Sequence, residues 1–235
     1  MRLRLITLLC CLPTLALAEG PWSGDVAVGF LSTSGNSSST SLNAKTEAVY
    51  SVTRFKNTFS ATALNGEQEQ VRTAERYTVG NKLDYNFDEN NYAFLALDAE
   101  KDLYGGVRER TTETVGYGRR ILTGPVHKLN AEIGAGARQT LAQGASEREN
   151  DAIARLSGRY EWKISDTSTF LQSLKVESGD ENTFTESISE LKLNIVGNIF
   201  AGISFTVRNN SDVPVGTEQT DTATAVNLSY QFGKS

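Results

Sequence analysis

The stretch 221-DTATAVNLSYQF-232 alternates its side chains with a period of two residues. One face carries Thr222, Thr224, Val226, Leu228, Tyr230 and Phe232, and the other carries Ala223, Ala225, Asn227, Ser229 and Gln231. A period of two is typical of a β-strand. An apolar face that ends in aromatic residues indicates a strand that faces lipid and reaches a membrane interface, with its polar face turned inward.

Such a strand needs a hydrogen-bonding partner on each edge, because unpaired backbone groups are costly in hydrocarbon. The alternating stretch from Trp22 to Phe30 is the first of the mature chain, and we expect it to close against the last strand. The two stretches together predict an all-β fold, a transmembrane antiparallel up-and-down β-barrel.

The first residues are predicted to lie outside this barrel. Arg2 and Arg4 precede the apolar run 5–17, and a small-x-small site ends at Ala18. This is the pattern of a secretory signal peptide, removed as residues 1–18, with the barrel over 19–235. Cys10 and Cys11 would leave with it, so we expect neither disulfides nor thiol chemistry in the mature chain. A lipoprotein anchor on Cys10 is disfavoured, because Leu9 precedes it where a small residue is expected.

Composition limits the partners. The formal net charge of −5 becomes −7 once Arg2 and Arg4 are removed, and an acidic chain argues against nucleic acid. No later stretch contains the ~18 consecutive apolar residues that a membrane helix requires. The hydrophobic content of 39% is modest, but a barrel exposes only alternate residues to lipid.

Alternation and turn residues predict about twelve strands, an even number that places both termini at the same end, which we expect to be periplasmic. Alternate connections are predicted to be long and polar at one end (65–75, 104–110, 143–151 and 209–220) and short at the other (53–56, 88–90, 123–126, 165–167 and 197–198). Membrane barrels have this asymmetry, with short periplasmic turns.

Aromatic residues are predicted to cluster beside the short connections, where an interfacial girdle belongs. They are Trp22, Tyr50, Phe55, Phe87, Tyr160, Trp162, Tyr230 and Phe232. The alternative is a soluble barrel or sandwich with its apolar face inward. It is disfavoured, because twelve such strands would enclose a wide apolar lumen that nothing in the sequence fills.

Three motifs carry a resemblance to a known family. They are Trp22-x-Gly24 with Gly29-Phe30 and 34-SGNS-37, then 116-GYGRR-120, and finally 129-LNAEIGAGAR-138. In this order they resemble the salt-induced outer-membrane protein family, a domain of unknown function from Gram-negative bacteria. The resemblance spans nearly all of the mature chain and implies a location in the cell outer membrane. It implies a role in salt response or solute passage, and it brings no catalytic residues.

Charged side chains of both signs alternate onto the predicted inward face. They are Lys45, Glu47, Lys82, Asp84, Asp98, Glu100, Arg120, Glu132, Arg138, Arg155, Arg159, Lys175, Glu177, Glu190, Lys192 and Arg208. Unpaired buried charges are prohibitively costly, so these residues are expected to pair across the lumen. They form either a plug of salt bridges or the lining of a water-filled path for small ions or solutes. Both interpretations stay open.

Four glycines, Gly116, Gly118, Gly134 and Gly136, are expected to face inward on two neighbouring strands. The bare patch either eases strand curvature, or widens a pore, or receives a bulky side chain from across the lumen.

His127 is the only histidine, and it follows a short predicted periplasmic turn. There is no Gly-x-Ser-x-Gly motif, so a structural role is favoured over catalysis, and we expect no enzyme activity, cofactor or metal. The expected function is a passive channel for ions or small polar solutes linked to salt or envelope stress. The alternative is a non-conducting structural or interaction barrel. The expected partners are outer-membrane lipid, the barrel-assembly machinery during biogenesis, and the permeating ions or solutes.

Overall fold

A computed structural model describes residues 20–33 and 39–233 of the chain. The predicted signal peptide at 1–18 and the motif 34-SGNS-37 lie outside the described residues. Within the described part, no helix has the length and apolar character needed to cross a membrane.

Twelve strands account for most of this part. They are β1 (Trp22–Thr33), β2 (Ser39–Ser51), β3 (Phe55–Gln68), β4 (Val71–Asn86), β5 (Asn91–Asp102), β6 (Val107–Thr123), β7 (His127–Ala142), β8 (Glu149–Lys163), β9 (Ser168–Ser178), β10 (Thr183–Val196), β11 (Ile199–Asn210) and β12 (Thr220–Phe232). Each strand pairs antiparallel with its neighbours in sequence, and β12 pairs with β1 to close the barrel. The predicted fold and strand number are confirmed.

The pairing of β1 with β12, called the seam below, begins where Gly24 lies opposite Phe232 and runs to the pair Gly29–Asn227. We call the end where β1 begins and β12 ends the proximal end, and the opposite end the distal end. Because the strand number is even, the two described chain ends both lie at the proximal end.

The predicted long connection at 65–75 is wrong. β3 continues to Gln68 and β4 begins at Val71, so Glu69 and Gln70 form a two-residue turn with φ of 50° and 65°. Two positive φ angles are typical of a tight hairpin turn that matches the strand twist. The polar residues on either side lengthen the hairpin, because polarity does not end a strand whose backbone hydrogen bonds continue.

The predicted contrast between the two ends is therefore weaker than expected. The described distal connections are 69–70, 103–106, 143–148, 179–182 and 211–219, and the proximal ones are 52–54, 87–90, 124–126, 164–167 and 197–198. Only 143–148 and 211–219 are longer than every proximal turn. The strands themselves have 11 to 17 residues, and a tilted strand needs about 9–11 to cross the hydrocarbon. The polar residues expected in long distal connections therefore belong largely to strands that extend beyond the length needed to cross the hydrocarbon.

The apolar faces of the strands point outward. Val28 and Phe30 of β1 are 54% and 65% exposed. Ile133 of β7 is 64% exposed, and Ile203 of β11 is 50% exposed. A water-soluble fold would bury such side chains, whereas a barrel in lipid places them against hydrocarbon. The soluble alternative is thereby excluded.

Candidate functional site

Ion pairs cross the barrel interior between strands that are not neighbours. Arg155 of β8 lies 3.0 Å from Asp98 of β5, and Lys45 of β2 lies 3.6 Å from Glu190 of β10. Strands this far apart in the wall can bring side chains together only inside the lumen. Because such charged residues recur at every second position of a strand, their side chains all point into the barrel and make its interior charged.

The distal half of the interior is filled by buried charged side chains around one aromatic ring. This distal charge layer consists of Asp98, Glu100, Arg110, Arg138, Arg155, Lys175, Glu177, Phe184, Glu186 and Arg208. The side chains of Arg138 and Glu177 are 0% and 1% exposed, and that of Arg110 is 5% exposed. Charges as buried as these need close partners, because their loss of hydration is otherwise uncompensated.

Glu100 is the acid on which several arginines of this layer converge. Arg208 donates two hydrogen bonds to its carboxylate, at 2.7 and 2.6 Å, in a bidentate arrangement. Arg76 and Arg110 lie 3.7 and 3.9 Å from the same carboxylate. A bidentate, charge-assisted pair is the strong form of this interaction, and it fixes β5 and β11 at a set separation.

Phe184 lies at the centre of the layer and is 1% exposed. The guanidinium carbons of Arg110 and Arg208 lie 4.1 and 5.0 Å from its ring centroid, and Lys175 Nζ lies 5.3 Å from it. Cations within about 6 Å of a ring face are attracted by its quadrupole. The ring therefore separates three like charges while attracting each of them.

Some polar atoms of the layer have no partner among the described residues. These include Nε and Nη1 of Arg110, Nε of Arg138, Nε of Arg155 and Oε1 of Glu177, although an ion-pair contact of 3.4 Å joins the last to Arg155. Buried polar groups are normally satisfied by protein or by ordered water. The layer is thus a polar environment with unused hydrogen-bonding capacity.

Arg138 connects the layer to the distal connections. It donates to Asp151 at 2.8 Å, to the Asn182 carbonyl at 2.6 Å and to the Glu177 carbonyl at 3.3 Å. Asn182 lies in the connection between β9 and β10. One buried guanidinium thus holds three segments of the distal end together.

The proximal half of the interior is more open. We call its charged residues Lys45, Glu47, Lys82, Asp84, Glu132, Arg159, Glu190 and Lys192 the proximal chamber. The side chains of Lys45 and Arg159 are 40% and 53% exposed, although both lie on the inward face and pair with Glu190 and Glu47. Lys45 and Arg159 are thus accessible to solvent, whereas the side chains of Asp84, Lys192, Glu132 and Glu190 are only 5%, 10%, 12% and 12% exposed.

Glu132 organises one wall of the proximal chamber. Its carboxylate accepts hydrogen bonds from Tyr92 at 2.8 Å, from Ser157 at 2.9 Å and from Lys82. Lys82 also lies 2.9 Å from Asp84. The cluster joins β4, β5, β7 and β8 through a single acid.

Aromatic side chains cover most of the glycine patch. A Cβ on Gly116 would lie 2.7 Å from the Phe94 ring and one on Gly134 3.1 Å from it, while one on Gly118 would meet the Tyr92 ring. These rings are 3% exposed and come from the adjacent strand β5, not from across the lumen. Backbone limits space as well: a Cβ would meet the Ile133 carbonyl oxygen at Gly116 and would lie 2.6 Å from that of Val115 at Gly134, and at Gly136 it would meet only backbone of Glu113 and Thr114.

The structure places all sixteen predicted charges on the inward face. Fifteen of them take part in ion pairs, and Arg120 instead donates to the Asn86 side chain at 2.7 Å and to the Glu89 carbonyl at 2.9 Å. The interior residues outside the predicted set include Asp25, Lys56, Arg76, Tyr92, Phe94, Asp102, Arg110, Thr114, Phe184, Glu186 and Asp221. The alternation of residues 183–190 is the signal that finds Phe184 and Glu186.

His127 belongs to the proximal aromatic girdle. Its ring stacks on Tyr160 at 6.0 Å and on Trp162 at 6.1 Å, and its Nδ1 lies 2.8 Å from the Tyr160 hydroxyl. Trp22 and Tyr50 pack together at 5.0 Å in the same girdle. In the part of the chain that the structure describes, no three His, Cys, Asp or Glu side chains form a group that could hold a metal ion.

Comparison with known proteins agrees with this architecture. The solved structure of the NanC porin shares the fold. Its alignment with this chain has a TM-score of 0.53 at 13% identity and covers 90% of this chain and 100% of the NanC chain. An outer-membrane channel from Pseudomonas putida F1, with a TM-score of 0.50 at 15% identity, covers 92% of this chain and 96% of its own. At these identities the likeness concerns the fold alone.

Relatives in sequence carry no assigned activity. The uncharacterized protein YdiY of Escherichia coli (strain K12) is 32% identical over 221 residues, covering 92% of this chain and 86% of YdiY. The family described as "Protein of unknown function, DUF481" matches residues 26–232, which confirms the resemblance to a family of unknown function. The chain therefore belongs to the DUF481 family.

Proposed function

We propose that this barrel is a passive outer-membrane channel for ions or small polar solutes, and that it acts when the envelope meets salt stress. The observation that carries the proposal is the charged interior, which has solvent-exposed charges at Lys45 and Arg159 in the proximal chamber and densely packed charges in the distal charge layer. Charges of both signs on a lumen wall favour polar solutes over apolar ones and set ion selectivity.

The distal charge layer is the constriction of the proposed path. Its buried groups without a hydrogen-bond partner among the described residues, such as Arg110 Nε and Arg138 Nε, support a hydrated layer, because water is the usual partner of such atoms. The side chains, held by ion pairs, would limit passage to small species. The more exposed pairs of the proximal chamber, Lys45–Glu190 and Arg159–Glu47, are the ones that added salt would screen most, which connects the chemistry to the proposed stress role.

The outer surface of the barrel supports the proposed location in the outer membrane. Outward apolar faces and the aromatic girdle support contact with outer-membrane lipid, and a barrel of this kind would need the barrel-assembly machinery for insertion. Two proteins of similar fold are named as a porin and a channel, which is consistent with the proposal. We expect the termini to be periplasmic, as short turns lie at their end.

The test is the conductance of the refolded mature protein in a planar bilayer. The double variant Glu100→Gln/Arg208→Gln removes the bidentate pair without changing the net charge, so it should raise the conductance at least about twofold. The matched control is Lys163→Gln/Asp166→Asn, an exposed pair at 2.8 Å in a proximal turn, which should conduct like the wild type. Wild-type conductance should also rise more steeply with salt than bulk conductivity does.

The second candidate is a closed barrel that serves a structural or interaction role. The observation in its favour is the complete burial of the Arg138 side chain at the level of the constriction. A folded, inserted protein that carries no current in either the wild-type or the Glu100→Gln/Arg208→Gln form would support this candidate and reject the channel. The search for function would then move to the distal connections.

A further inference from the structure

The barrel wall is incompletely closed at the seam. Among the described residues, pairing of β1 with β12 comprises six residue pairs and stops at Gly29–Asn227. β1 nevertheless continues to Thr33, and β12 begins at Thr220, where it pairs with β11 over eleven residue pairs. Within the ranges 20–33 and 39–233, the distal half of β12 therefore lacks a strand partner on one edge, a costly state in hydrocarbon unless something else lies against it.

An apolar groove of about 470 Å³ lies on the outer surface where the pairing stops. It is lined by Val28, Phe30, Leu42, Val226 and Leu228, with Gly29 and Asn227 at its base and Ala201 beside them. The aliphatic and aromatic lining suits a hydrocarbon chain, and the groove faces the lipid.

Asn227, which also lines the groove, carries an unsatisfied polar atom on the inward face of the wall. Asn227 Oδ1 is buried and has no hydrogen-bond partner among the described residues. Gly29 leaves room for it, because a side chain at this position would meet the amides of both Asn227 and Asn43. A buried carbonyl oxygen without a donor favours a ligand that brings an N–H or O–H group.

A second cavity, of about 160 Å³, lies on the inner side near the free edge of β12. Its lining includes Asp221, Thr222 and Ala223 of β12, together with Arg76, Asp102 and Arg208. Arg76 reaches Asp221 at 3.4 Å across the distal lumen. Asp102 and Asp221 balance Arg76 and Arg208 in this lining, and Glu75 already pairs with Arg72 at 2.7 Å, so the cavity is polar without an excess of either charge.

We infer that the distal seam between β1 and β12 is a lateral opening that takes a single-chain amphiphile from the membrane. The hydrocarbon chain lies in the groove beside Phe30 and Val226, and a polar end that donates hydrogen bonds meets Asn227. The opening is separate from the axial path of the proposed channel and does not rest on it.

Disulfide formation tests whether the seam is open. The chain from Glu19 onward has no cysteine, so pairs are introduced without background. Val28→Cys/Leu228→Cys joins directly opposed residues in the closed part, and Phe30→Cys/Val226→Cys is the next outward pair along the same register. The first pair should oxidise at least about tenfold faster, because bridging needs Cα atoms within about 7 Å. Equal rates would mean a closed seam and would overturn the inference.

Ligand retention tests the occupant. Native mass spectrometry of the refolded barrel should show one bound dodecylamine retained in preference to dodecanoate. Asn227→Leu keeps the side-chain size and removes the acceptor, so it should weaken dodecylamine retention about tenfold and leave dodecanoate unchanged. Preferential retention of dodecanoate would overturn the assigned chemistry.

The cross-linked fraction of Phe30→Cys/Val226→Cys obtained after prolonged oxidation provides a locked barrel. It should lose dodecylamine, and reduction should restore binding in the same sample. Retention of dodecylamine by the locked barrel would place the ligand elsewhere and reject the opening. Ion conductance measured on the same samples reports on the axial channel alone, so failure of one proposal is distinguishable from failure of the other.

Discussion

Arg208 of β11 and Glu100 of β5 meet across the lumen through two parallel hydrogen bonds, at 2.7 and 2.6 Å, with neither side chain more than 13% exposed. The pair connects opposite parts of a wall that is otherwise held together by neighbouring strands. It therefore contributes to the shape of the lumen as well as to its charge.

Glu100→Gln should destabilise the barrel by about 3–5 kcal/mol, because it leaves the buried Arg208 and Arg110 cations without their acid. Unfolding in urea from lipid vesicles measures the effect. Replacing both partners, as in Glu100→Gln/Arg208→Gln, should cost less than Glu100→Gln alone. A single variant as stable as the wild type would show that water compensates these cations.

Gly118→Ala should destabilise by about 1–3 kcal/mol, since the three atoms nearest to the new methyl group all belong to the Tyr92 side chain and would collide with it. In a Tyr92→Ala background the same change should be nearly neutral, because the obstacle is gone. Gly136→Ala is the contrast: its obstacle is the backbone of Glu113 and Thr114, so Tyr92→Ala should not rescue it. Urea unfolding of the wild type, the two single variants Gly118→Ala and Tyr92→Ala, and the double variant measures this coupling. The result shows whether glycine is needed at position 118 to avoid the Tyr92 ring or to allow strand curvature.

Arg159→Glu should shift the reversal potential in a salt gradient toward cation selectivity. Arg159 is 53% exposed within the proximal chamber, so its charge acts on passing ions with little change in packing. Lys101→Glu makes the same change of charge at a 52% exposed position on the outer face of β5 and should leave the potential unchanged. A shift of equal size in both variants would mean a general surface effect, contrary to a lumen role for Arg159.

Asp88 makes the proximal turn between β4 and β5 sensitive to acid. Hydrogen bonds from the Asn91 side chain and from the backbone N–H groups of Asn90 and Asn91 lower the pKa of Asp88 from its usual 3.8. A lowered folded-state pKa means that the stabilisation is present above pH 3.8 and is lost as the pH falls through the lower value. NMR titration of Asp88 should give this lower pKa, and Asp88→Asn should remove the change in the protection factor of the Asn91 amide across that pKa. A pKa at or above 3.8 would contradict the turn geometry.

Alternation predicted the wall well, because a period of two assigns each residue to one face regardless of its partners. The closing stretch from Asp221 to Phe232 identified the barrel, and the aromatic residues marked its proximal end. The distal ends were harder to predict, since the polar residues at 65–75 resemble a loop while their backbone continues to pair as strand.

The alternation pattern does not predict which charged residues pair with each other across the lumen. Alternation turns Arg155 and Asp98 inward, but their meeting depends on the stagger of strands around the barrel, which no local spacing encodes. Phe184 is a second residue whose contacts could not be predicted from the alternation. An aromatic residue on an otherwise polar face is noticeable in the sequence, yet its contacts with Arg110 and Arg208 come from three separate strands.

The register in which Gly24 lies opposite Phe232 has a consequence for biosynthesis. The first strand to leave the ribosome must wait for the last before its edge is paired. Until β12 is present, the outer edge of β1 is unpaired, and an unpaired strand edge can pair with other chains. A premature stop before β12 would thus leave a polypeptide unable to complete its wall, which quality-control proteases in the envelope would degrade.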